Sequence, residues 1–249
     1  MTIAQQLTHT RRGLFRRILA AVLFLCALPL AAQAAEMGRP LKIATIGSGH
    51  IGGTIGGLLA EAGHEVFFSS RHPEELQPLL RKYAPNAYTG TVEQAIRFAD
   101  VILLAVPYKA LPQISHDYAK MLAGKIVLDA GNPIPARDGP MADKALAKGA
   151  GIATAEYLPG ARIVRAFNSI SYRTFESEAH RPAPRLAVPL AGDDKQALAV
   201  AAKLVRDAGF DPVIVGDLKK GREFDYRSKL FVKPMTAQEL REALGLGGE

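Results

Sequence analysis

Ile46-Gly47-Ser48-Gly49-His50-Ile51-Gly52 is the stretch on which the fold turns. It follows directly on the apolar run Leu41 to Ile46, which predicts a buried strand. It opens the stretch Ile51 to Ala62, which predicts a helix closed by Gly63. Each glycine has a physical reason. Gly47 permits a tight turn, Gly49 lets the backbone approach a pyrophosphate, and Gly52 lets helix and strand pack closely. The start of such a helix offers N–H groups and a partial positive charge to phosphates. A glycine-rich turn also serves plain packing, so its neighbours matter. A second strand, Glu65 to Ser69, follows at about the twenty-residue distance that a dinucleotide-binding unit requires.

The end of that second strand bears on the choice of nucleotide. A site that prefers NAD places Asp or Glu there for the ribose 2′-hydroxyl, whereas this chain has Ser69-Ser70-Arg71-His72. A hydroxyl at Ser70 beside the guanidinium of Arg71 suits a 2′-phosphate, which arginine grips bidentately. NADP(H) is therefore the expected cofactor.

Outward from this unit, apolar strands alternate with helical stretches. Strands are expected at 87–89, 101–106, 125–130, 162–167, 186–191 and 213–215. Helices are expected at 73–83, 92–98, 111–122, 143–150, 195–208 and, begun by a threonine cap, 236–244. Uninterrupted apolar strands separated by helices belong to a parallel sheet covered on both faces. The fold class that follows is α/β: an NAD(P)-binding, Rossmann-like, doubly wound parallel sheet with a small C-terminal α/β extension. The connector Arg181-Pro182-Ala183-Pro184 divides a nucleotide-binding domain, 36–180, from the extension, 181–249, that completes the fold and the substrate side.

Residues 1–35 read as a signal peptide. Arg11-Arg12 precede an apolar run from Ile18 to Ala32, and small residues up to Ala35 supply a cleavage site. The paired arginines resemble a twin-arginine signal. The run is short for a membrane span, so the expected location is periplasmic or otherwise exported, with anchoring by an uncleaved leader as the alternative. The net charge of +7 falls to +3 without the four leader arginines, leaving no basic stripe for nucleic acid. The single cysteine, Cys26, lies in the leader, so the remainder can form neither a disulfide nor a thiolate metal site.

Further candidates lie where the other strands end, since ligands bind at the carboxyl edge of such sheets. Ala105-Val106-Pro107-Tyr108 ends the fourth strand. Pro107 and Tyr108 either pack near a nicotinamide or start the next helix and fill space. Asn132 follows the fifth strand and either holds a carboxamide or ribose or belongs to a plain turn; Phe167-Asn168 repeats the arrangement after the sixth. His50 either contacts a phosphate or second substrate or is a solvated helix start. Tyr157 and Tyr172 read as structural. There is no paired-histidine metal motif and no G-x-S-x-G elbow.

Taken together, Ile46 to Gly52, Ser70-Arg71, Leu104-Ala105-Val106-Pro107, Asp129-Ala130-Gly131-Asn132-Pro133 and Ala166-Phe167-Asn168 resemble the NADP oxidoreductases dependent on the deazaflavin coenzyme F-420. The N-terminal domain is also similar to pyrroline-5-carboxylate reductases and to the cytoplasmic domains of ferric-reductase membrane proteins. The resemblance runs over roughly residues 41–220, with Ala191-Gly192-Asp193-Asp194 in its C-terminal part. It implies direct hydride transfer between NADP(H) and a deazaflavin or flavin-like acceptor, with no general acid or base. It also implies that Ser48 and the backbone from Gly49 to Ile51 hold phosphates, and that Ser70 and Arg71 hold the 2′-phosphate. The expected partner is thus a small-molecule redox acceptor. No nucleic acid and no membrane span after leader removal are expected, and a homodimer is the candidate assembly. The alternatives are a non-catalytic NADP(H)-binding sensor or redox partner, and a reductase of small imines.

Overall fold

The computed structural model describes residues 39–247; the signal peptide expected at 1–35, with Cys26, lies outside them. From Pro40 onward the chain forms one unit built on a single sheet. Its strands are β1 (Lys42–Ile46), β2 (Glu65–Ser69), β3 (Ala87–Gly90), β4 (Val101–Leu104), β5 (Ile126–Asp129), β6 (Arg162–Arg165), β7 (Ala187–Gly192) and β8 (Asp211–Gly216). They pair in the order β3-β2-β1-β4-β5-β6-β7-β8. Every run expected to be a strand is one, to within two residues at each end.

The long helices are α1 (His50–Glu61), α4 (Leu111–Leu122) and α9 (Lys195–Asp207). Shorter ones are α2 (Gln77–Tyr83), α3 (Val92–Phe98), α5 (Pro135–Asp138), α6 (Pro140–Lys148), α7 (Ala150–Tyr157), α8 (Tyr172–Glu178) and α10 (Ala237–Ala243). Several begin as their sequences dictate. Thr91 and Thr236 each make a reciprocal capping box, with Gln94 and Glu239, and Asp194 caps α9 through the Ala197 N–H. The helix expected at 73–83 is instead a 3-10 turn, Pro73–Leu76, followed by α2, because Pro78 has no N–H to continue one ladder. The helix expected at 143–150 begins earlier, at Pro140, where a missing N–H costs nothing, and ends at Gly149.

Successive residues of a strand face opposite sides, and here both sides are buried. Ile43, Val66, Phe68, Leu103, Leu128 and Val164 pack with Ile55, Leu59 and Phe175 on one face. Ala44, Ile46, Ile102, Leu104, Val127 and Ile163 pack with Ile96, Leu111 and Leu122 on the other. That is why these strands read as unbroken apolar runs.

One element of the expected architecture changes. β1 to β6 are parallel, but β7 runs antiparallel to β6, and β8 follows β7. The sheet is therefore mixed. The connection from β6 to β7 does not cross the sheet: it holds only the one short helix α8, which packs beside α1 with Phe175 in the core. The chain thus re-enters the sheet from the edge at which it left.

Candidate functional site

The register fixes one edge. Ser69, Ile46, Leu104, Asp129 and Arg165 stand side by side across β2, β1, β4, β5 and β6. The residues that follow them, Ser70, Gly47, Ala105, Ala130 and Ala166, therefore leave the sheet along one carboxyl edge. The chain turns to opposite sides after β1 and β4, and ligands of open α/β sheets bind at the crevice so formed.

Gly47 and Gly52 are dictated by contact. Gly47 sits at φ +87°, and a Cβ there would lie 2.6 Å from the Ala105 carbonyl oxygen. A Cβ on Gly52 would lie 1.9 Å from the carbonyl oxygen of Gly47. Ala105 also donates its N–H to Ile46 at 2.9 Å, so the turns after β1 and β4 are locked together. Gly49 is different: a Cβ there would meet nothing within 4 Å. It is the N-cap of the twelve-residue α1, whose first turn has no side-chain cap and no acidic residue. Its leading N–H groups therefore face open space with the positive end of the helix behind them, an arrangement that fits the pyrophosphate of a dinucleotide. Ile51, half-buried, packs on the core beneath.

The Ser48 hydroxyl turns inward. It donates to the Ser69 carbonyl at 3.0 Å and lies 2.7 Å from Thr45 Oγ1, which donates to it, while Ser69 Oγ donates to the Thr45 carbonyl at 2.6 Å. This knot joins the ends of β1 and β2, and leaves the main-chain N–H as the group Ser48 can offer a phosphate. Ser70 Oγ accepts the His72 N–H at 3.1 Å, so its own proton remains available to donate. Arg71 is exposed and makes no ion pair among the described residues; the nearby Glu74 faces His72 at 3.5 Å. No carboxylate ends β2. A hydroxyl donor beside an uncommitted guanidinium fits a 2′-phosphate better than a free ribose hydroxyl.

His50 is exposed and stacks on Tyr172 of α8, ring centres 4.2 Å apart and planes 15° apart. Tyr172, which reads as structural in the sequence, thus reaches the glycine turn. After β4, Val106 is half-buried and Pro107 exposed, and Pro107 leads into the 3-10 turn Tyr108–Ala110. Tyr108 is fully buried, and burial pushes its hydroxyl above the usual phenol range. It packs the interior rather than lining the edge.

Beneath Asn132 lies a cluster that the sequence did not announce. Arg165, fully buried, holds Asp225 through Nε at 3.0 Å and Nη2 at 2.6 Å. Its Nη1 donates to the carbonyls of Asp129 and Gly131, at 3.0 and 2.7 Å, and lies 3.0 Å from the Asp129 carboxylate. Burial alone would lower the guanidinium's pKa, but Asp225 and Asp129 together outweigh it and raise it. Burial raises that of Asp129, against the pull of Arg165. Asn132 donates Nδ2 to the Asn168 carbonyl at 2.8 Å and turns Oδ1 toward Arg165. Its amide thus leans inward, braced by the cluster. Phe167, at φ +59°, makes the turn that sends the Asn168 amide to Asp225 at 3.1 Å.

Asp138 shapes the same edge. It accepts the N–H groups of Ile134 (2.8 Å) and Lys109 (3.2 Å) and pairs with Arg137, pinning the loop after β5 to the turn after β4. Its desolvation is outweighed by Arg137 and these N–H groups, and its pKa is lowered. A groove of about 600 Å³ between α6 and α7, lined by Met141, Lys144, Lys148 and Tyr157, shares no residue with the glycine turn.

Known proteins share this architecture. Over 191 residues, 74% of this chain, it is 29% identical to rat (Rattus norvegicus) metalloreductase STEAP3, of which the match covers 36%. The chain spans about a third of the length of the curated relatives it matches. A hypothetical protein from Sinorhizobium meliloti superimposes with a TM-score of 0.69 at 25% identity, covering 79% of this chain and 95% of that one. A protein from Arthrobacter sp. FB24, described as a candidate F420-dependent NADP-reductase, gives 0.64 at 25% identity, covering 73% and 87%. Residues 42–133 match the family described as "NADP oxidoreductase coenzyme F420-dependent". From the first strand to the turn after β5, then, this chain is similar to the coenzyme F420-dependent NADP oxidoreductase family.

Proposed function

We propose that this chain binds NADP(H) along the carboxyl edge and passes a hydride between it and a small acceptor with a deazaflavin or flavin-like ring. The observation that carries the reading is the uncapped start of α1 at Gly49, beside a β2 end that offers Ser70 and Arg71 and no acid. In this reading the N–H groups from Ser48 to Ile51 hold the pyrophosphate, and Ser70 and Arg71 hold the 2′-phosphate. Ala105, Val106 and Pro107 form the floor under the nicotinamide, and Asn132, braced by Arg165, shapes the far wall. The bound nucleotide supplies the hydride; the residues supply position and exclude water, which is what direct transfer requires. The acceptor's ring class rests on the family match and on likeness to the Arthrobacter protein.

The test is a titration of the protein with NADPH and NADH, followed by nicotinamide fluorescence, and then turnover with a deazaflavin or a flavin. We expect NADPH to bind about tenfold more tightly or better, equivalent to about 1.4 kcal/mol, and Arg71→Ala to abolish that preference. Equal affinity for both nucleotides in the wild type would overturn the 2′-phosphate assignment. Binding without turnover on either acceptor would favour a sensor.

A further inference from the structure

The pairing of His50 with Tyr172 has no part in building the core. His50 is the first residue of α1, exposed, at the point where the helix presents its free N–H groups. Tyr172 is the first residue of α8, which reaches α1 from the β6–β7 connection along the same edge. Contact between the helices is fixed one turn on, where the Thr54 hydroxyl donates to Glu176 at 3.1 Å. Arg173 donates Nε–H to the Tyr172 hydroxyl at 3.1 Å, with its guanidinium 5.6 Å from the ring centre. The titratable group in contact with His50 is therefore Tyr172, with Arg173 on that tyrosine and Glu176, one turn on along α8, committed to Thr54. The first turn of α1 adds no acid.

We propose that His50, held flat against Tyr172, is a proton-dependent clamp on the dinucleotide pyrophosphate, so that nucleotide binding takes up a proton. The proposal rests on the glycine turn being the dinucleotide site. A neutral imidazole beside Gly49 offers the phosphates one hydrogen bond. An imidazolium in the same place adds a full charge, and two phosphate charges nearby favour that form. Stacking keeps the ring from rotating into solvent, so Tyr172 is a positioning residue whose aromatic face, not its hydroxyl, does the holding.

The experiment measures NADP+ and NAD+ affinity by calorimetry between pH 8 and 5.5 for the full chain, for His50→Gln, and for Tyr172→Phe and Tyr172→Ala. In parallel, the His50 imidazole resonances are titrated by NMR with and without NADP+. The titration of the 2′-phosphate is common to all variants and cancels in the comparison. On acidification, wild-type affinity should rise about three- to tenfold more than that of His50→Gln, tenfold corresponding to one unit of pKa displacement. Tyr172→Phe should follow the wild type, and Tyr172→Ala should follow His50→Gln. The NADP+ to NAD+ ratio should stay unchanged in every variant, because the clamp acts on a group both nucleotides share. The NMR midpoint of His50 should move up when NADP+ is added. A His50→Gln profile that superimposes on the wild type, or an unmoved midpoint, overturns the clamp. A wild type that binds neither nucleotide at any pH defeats the reading of the site itself.

Discussion

Arg165 has Val164 and Ala166 as neighbours in sequence and two carboxylates as neighbours in space. It is fully buried, so its charge is tolerable only because Asp129 and Asp225 stand against it. Removing one member of a buried ion pair costs about 3–5 kcal/mol, because the rest is left unbalanced. Arg165→Met should therefore lower stability by that amount in urea or guanidinium unfolding; a loss below about 1 kcal/mol would show that the pair contributes no more than a surface one. Nothing local in the sequence announces this cluster. Its members lie 36 and 60 residues from Arg165, and only the pairing of β5 with β6 and the return of the chain after β8 bring them together. The glycine turn, by contrast, is legible because its strand, turn and helix are consecutive. The place of Ser70 and Arg71 at the end of β2 is legible for the same reason, whereas the inward turn of the Ser48 hydroxyl depends on Thr45 and Ser69, and so on strand pairing.

Elements divide in the same way. Eight strands and the helices with strong caps or clear apolar stripes can be read directly. α7, Ala-Gly-Ile-Ala-Thr-Ala-Glu-Tyr, cannot, because small residues on all sides leave no stripe, and α8 is too short to show a period. Strand direction leaves no periodic trace either, so the reversal at β7 is invisible before the structure. At the opposite edge of the sheet, His64 ties three elements. Its Nδ1 accepts the Leu41 N–H at 3.0 Å ahead of β1, and its Nε2 meets Asp207 of α9 at 2.9 Å, with Lys203 also on Asp207. Accepting at Nδ1 requires the neutral ring, and burial, more than the opposing pull of Asp207, lowers its pKa below the ordinary 6.5. The unfolded chain therefore binds a proton more readily than the folded one. The contribution is complete above the unfolded value and is lost as the pH falls through the folded one, with a slope of no more than about 1.4 kcal/mol per pH unit. Thermal melts from pH 7.5 to 5 should show a steeper decline for the wild type than for His64→Gln. Parallel declines would remove His64 from the account.

At the scale of the whole molecule, the segment after β8 is what finishes the edge. It supplies Asp225 to Arg165 and to the N–H of Ala150 at the start of α7, lays Val232 against the Ser169 carbonyl at 2.8 Å, and packs Leu240 against Ala187 and Val213. A chain ended at Gly216 should consequently lose its cooperative thermal transition and become sensitive to limited proteolysis around α7. A sharp transition near that of the full chain would mean that the edge stands without its last segment.

The distance between Arg165 and Asp225 also has a consequence in time. A ribosome emits its product from the N-terminus, at about 5–20 residues per second. The guanidinium is therefore made roughly 3–12 seconds before the carboxylate that closes it in, counted over the 60 residues between them. During that interval the nascent chain holds a cation with nowhere dry to go, and the strand bearing it has reason to stay unsealed. A polypeptide cut short before Asp225 is thus left with an open seam, and only one that extends past it can shut it.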